Sequence, residues 1–137
     1  MGLPHLLGTK RYWQLLACAC VLFAVSWYLP SPDIYGQQTS FVTHFLGGGV
    51  FCGLLGVYLK RAIGWHAKWF AELAALFALV SSLGVINELF EVMLWMVGAM
   101  PEGITDTSWD LVANTAGALC CYAVYKGWQC LHSASTK

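Results

Sequence analysis

The sequence predicts an all-α protein: a four-helix transmembrane bundle with its N-terminus and C-terminus both cytoplasmic. Three observations predict it. First, 58% of the residues are hydrophobic and 10% are charged, with a mean hydropathy of +0.62. A soluble domain carries about 25% charged residues, and a single core of this size cannot hide so much apolar surface. Second, the apolar residues form four runs, about 12–29, 41–59, 69–97 and 109–128, within the 137 residues of a single domain. Third, the basic residues all fall on one side of a four-span arrangement. Lys10 and Arg11 precede the first run, Lys60, Arg61 and Lys68 separate the second from the third, and Lys126 and Lys137 close the chain. The positive-inside rule makes that side cytoplasmic.

The first run, Tyr12–Leu29, has no charge. Lys10 and Arg11, with Ala24-Val25-Ser26 downstream, loosely resemble a signal peptide. The run nevertheless continues through Trp27 and Tyr28, residues suited to a membrane interface, so a retained span is expected. Pro30 and Pro32 stop it.

The second run, Phe41–Leu59, contains one ionisable group, His44, and Ser40 is placed to cap it. His44, Gly48, Cys52 and Gly56 recur every four residues, a small-residue stripe that lets another helix approach closely. Gly47-Gly48-Gly49 lies inside a span with no lysine after it, so it reads as close packing and not as a phosphate loop.

The third run carries Glu72, Glu88 and Glu91. As one helix it would reach about 43 Å, beyond the roughly 30 Å of a bilayer core. It must tilt, protrude or break; if it breaks, Gly84 with the following Val85-Ile86-Asn87 is the expected place. Glu72 follows Lys68 by four residues, the spacing of a helix-surface ion pair. Ser81, Gly84, Glu88, Glu91 and Trp95 share one face.

The fourth run opens on Thr107-x-x-Asp110, a capping-box spacing, and places Asp110, Asn114, Gly117 and Cys121 on one face. Five of the six cysteines lie in apolar runs and Cys130 in the C-terminal tail. No Cys-x-x-Cys pair occurs, so they read as packing residues.

In this topology His44, Glu88, Glu91, Asp106, Asp110 and Asn114 all fall toward the external side. Ionisable groups are costly in lipid and should face one another or water, so these six are the candidate ligand-binding residues of a shared acidic outer pocket. His44, Glu88, Glu91 and Asp110 are also candidate ligands for a divalent metal, or an acid–base set. Structural alternatives stand beside these: His44 as an interhelical hydrogen bond, Asp110 as a cap, Asn114 as interhelical glue and Asp106 as a solvated loop residue. The net charge of zero leaves no basic patch for nucleic acid.

The ordered set His44, Glu88-x-x-Glu91 and Asp110-x-x-x-Asn114-x-x-Gly117 resembles the pattern of VanZ-like membrane proteins. The stretch Asp106-Thr107-Ser108-Trp109-Asp110-Leu111 resembles the Asp-Thr-x-x-Asp-Leu element of the related YjdF-like inner-membrane proteins. The resemblance covers Thr43 to Tyr122. Two departures make the outer pocket more acidic than the family pattern: no arginine precedes Asp110 in the external loop, and Glu91 stands where a glutamine is usual. The resemblance implies a multi-pass protein of the bacterial inner membrane and cell envelope, a setting associated with glycopeptide-antibiotic resistance. Its expected ligand is a lipid or an amphiphilic cell-wall precursor. The alternatives are a metal- or acid/base-dependent enzyme acting on a lipid-linked substrate, and a non-catalytic assembly subunit. Expected partners are membrane lipid, another copy of the chain, or another membrane protein.

Overall fold

Four antiparallel helices carry nearly all of the residues that the computed structural model describes, which are 10–34, 37–99 and 107–134. Helix α1 spans Lys10–Ser26. It stops three residues before the apolar run does. The Ser26 hydroxyl donates to the Phe23 carbonyl at 2.7 Å, and turn bonds from Tyr28 to Val25 and from Leu29 to Ser26 follow, leading into Pro30. A short antiparallel ladder pairs β1, Asp33–Ile34, with β2, Gln37–Gln38.

Helix α2 spans Phe41–Ala62. Its segment His44–Val50 winds as a π-helix, in which each N–H bonds five residues back instead of four. Helix α3, Trp69–Met96, is continuous, so of the three alternatives for this run the break at Gly84 is not the one taken. That glycine is buried, and a side-chain carbon there would lie 3.3 Å from both Asn114 Nδ2 and Leu111 Cδ2. Its small size serves packing. Helix α4 spans Thr107–Ala134 and so includes Cys130, which the sequence reading left in the tail.

Helices α2 and α3 end in the same way. Gly64 and Gly98 take φ of 65° and 72°. Trp65 N–H bonds back to the Lys60 carbonyl and Gly64 to Arg61, while Ala99 bonds to Leu94 and Gly98 to Trp95. These are Schellman motifs, which need a left-handed residue just past the helix.

The distribution of side chains is inverted relative to a soluble bundle. The buried apolar residues include Ala19, Ala113 and Ala118, and the largest fully buried side chains are Asp110 and Ser26. Phe77, Ile86, Leu89 and Val124 are instead exposed. Helices α2 and α3 are each long and apolar enough to cross a membrane.

Candidate functional site

The end of α1, the start of α2, the end of α3 and the start of α4 meet at one end of the bundle. Thr43 at the start of α2 donates its hydroxyl to the Ser26 carbonyl at the end of α1 at 3.2 Å. Ser40 was expected to cap α2, but it forms no side-chain cap. Its hydroxyl instead donates to Asp110 Oδ1 across the interface at 2.6 Å.

Four of the sequence-predicted residues converge here. His44, Glu88, Glu91 and Asp110 each offer one donor atom, and these atoms all lie within 4.8 Å of one another. His44 Nε2 is 3.5 Å from Asp110 Oδ2 and 4.0 Å from Glu91 Oε1, longer than a good hydrogen bond. Glu91 Oε1 accepts a hydrogen bond from Asn87 Nδ2 at 2.7 Å. His44, Glu88 and Asp110 are buried and Glu91 is half-buried. Glu88 Oε1 is buried without a hydrogen-bond partner.

The fifth predicted residue, Asn114, lies one turn deeper on α4 and is buried, with its Oδ1 also without a partner. It packs between Gly48 and Gly84, where a side-chain carbon on either glycine would crowd its amide. The sixth, Asp106, lies outside the described residues.

Glycine size sets how closely α2 and α4 approach. A methyl group on Gly49 would overlap the Asn114 backbone carbonyl, and one on Gly117 would overlap that of Phe45. Gly53 packs against Cys121, whereas Gly56 has ordinary room beside Leu76 and Leu79. On the expected four-residue stripe, Gly48 meets Asn114 of α4 and Gly56 faces Leu76 and Leu79 of α3. Gly49 and Gly53, one position along from the stripe, add close contacts to Asn114, Gly117 and Cys121 of α4.

At the opposite end Glu72 is buried and bonds two lysines and a tyrosine. Lys60 Nζ donates to its Oε1, and Lys126 Nζ and Tyr122 Oη lie 2.6 and 3.1 Å from its Oε2. This corrects the expected pairing with Lys68, whose link to Glu72 is the helical backbone bond.

Two ligand atoms each about 2.1 Å from a common ion lie roughly 3.4 Å apart at the tetrahedral angle and roughly 4.2 Å apart across it. The two His44 distances, 3.5 and 4.0 Å, fall in that range, and the whole set lies within 4.8 Å. One imidazole and three carboxylates form a donor set for a divalent ion of the zinc or manganese class, whereas calcium and magnesium favour all-oxygen sites. Ser40 and Asn87 hold two of the carboxylates from behind, as outer groups commonly do around metal ligands. Comparison with protein-family models, with curated proteins and with solved structures finds no match for this chain.

Proposed function

We propose that the chain is a multi-pass protein of the bacterial inner membrane, VanZ-like in the order of its site residues, that holds a divalent cation in the His44–Glu88–Glu91–Asp110 cluster at its external face. The observation that carries this reading is the convergence of three carboxylates and an imidazole around a buried, unsatisfied Glu88 oxygen. Three carboxylates packed this closely repel one another, and a cation offsets that repulsion. Exposed apolar side chains around a polar interior support the membrane setting. The described lysine and arginine residues at the other end support an N-in, C-in orientation.

A cation also reverses the charge of the site. The cluster alone would repel a phosphate, but an ion bound there presents positive charge to one. The ligand class is therefore an anionic amphiphile of the envelope, such as a lipid-linked precursor.

Metal content and affinity test the cation directly. Protein stripped with chelator in detergent should bind about one Zn²⁺ or Mn²⁺ per chain, read by equilibrium dialysis and elemental analysis. Glu88→Gln and His44→Ala should each weaken binding by at least about tenfold, and Ser40→Ala by about tenfold. Binding that Glu88→Gln leaves unchanged would remove the proposal.

A further inference from the structure

A second site lies at the basic end, outside the cluster. A crevice of about 440 Å³ runs between α1, α2 and α4, within the range of roughly 300–1,000 Å³ common for small-molecule sites. Leu15, Leu54 and Val124 line its apolar wall, and Tyr12, Arg61 and Tyr125 also line it. The Arg61 guanidinium lies 5.7 Å from the Tyr12 ring and 5.6 Å from the Tyr125 ring, so it bridges α1 and α4. Lys60 and Lys126 are both engaged by Glu72. Arg61 has no carboxylate partner among the described residues. Its planar, weakly hydrated fork is suited to bidentate phosphate recognition.

We propose that this crevice binds an anionic phospholipid of the inner leaflet, with an acyl chain along Leu15, Leu54 and Val124 and the headgroup phosphate at Arg61. Charge complementarity selects this occupant: an apolar crevice lined by an arginine with no carboxylate partner among the described residues. Tyr12 and Tyr125 hold the guanidinium by cation–π contact and leave its N–H donors for the phosphate. The proposal rests on the membrane reading but not on the metal cluster.

The test uses the whole chain in detergent, with phosphatidylglycerol or phosphatidylcholine of identical chains added, and native mass spectrometry to count retained lipid. Solubility without detergent is checked first, since a chain that stays monodisperse in its absence overturns the membrane reading itself. Phosphatidylglycerol should be retained in preference by about fivefold, the effect of one basic residue on an anionic lipid. Arg61→Gln should abolish the preference, while Lys68→Gln, an exposed cation at the same end, should keep it. Val124→Trp alters an exposed wall residue and should lower retention even if Arg61→Gln fails to fold. Equal retention of the two lipids overturns the proposal. So does a preference that survives Arg61→Gln, one that Lys68→Gln removes equally, or retention unaffected by Val124→Trp.

Discussion

Glu72 and Glu88 lie on one helix, about four turns apart, and both are buried. Glu72 is saturated by Lys60, Lys126 and Tyr122, whereas one oxygen of Glu88 bonds nothing. Removing Glu72 strands two lysine charges beside each other, so Glu72→Ala should destabilise the fold by about 3 kcal/mol or more. Reversible unfolding in detergent measures it, and a loss below about 0.5 kcal/mol, the range of ordinary surface changes, would contradict this account. Glu88→Gln in metal-free protein should stay within that same small range. The burial of Glu88, Asp110 and His44 was legible in the sequence, because each is an ionisable group inside an apolar run. The partner of Glu72 was not. Spacing along the chain offers only Lys68, and Lys60 and Lys126 approach it only when α2 and α4 close around α3. The pairing of Ser40 with Asp110, 70 residues apart, was hidden for the same reason.

The elements show where periodicity stops being informative. Hydropathy places all four helices, since a long apolar run has few other structures open to it in lipid. It does not reveal the π-helical winding of His44–Val50, because apolar spacing is read at an assumed pitch. The contact between α2 and α4 passes through Gly48, Gly49 and Gly53, whereas Gly56 faces α3. Gly49→Ala should destabilise the protein by about 2–3 kcal/mol, since the backbone of α4 must move. Gly56→Ala, with ordinary room around it, should be neutral or stabilising by up to about 1 kcal/mol from helix propensity. Thermal unfolding of the two variants side by side distinguishes these outcomes, and equal destabilisation would contradict the assigned contact. The continuity of α3 through Gly84 has a related cause: a glycine weakens a helix in isolation, but here it makes room for Asn114.

Across the whole molecule the two ends differ in chemistry. One gathers three carboxylates and a histidine, while the other gathers lysines and Arg61 around Glu72. That asymmetry was the most legible feature of the sequence, because charge placement between apolar runs needs no knowledge of packing. It makes orientation testable. In a background lacking reactive native cysteines, Asp33→Cys should react with an impermeant maleimide in intact cells. His66→Cys should react only after permeabilisation. Both positions are exposed, so accessibility is not limiting, and the reverse pattern would invert the proposed topology.

The π-helical stretch bears on which changes of chain length α2 can absorb. It works as an angular offset between two halves of one rod: His44 on one side of it must point at Asp110, and Lys60 on the other must point at Glu72. Removing a single residue from Gly47-Gly48-Gly49 lets the stretch close to α-helical pitch, whereas removing one from the regular α-helix between Phe51 and Lys60 rolls one half against the other by about 100°. Only one of the two side chains would then still face its partner. The residue count between Phe51 and Lys60 is therefore more tightly constrained than the count within the π-helical stretch.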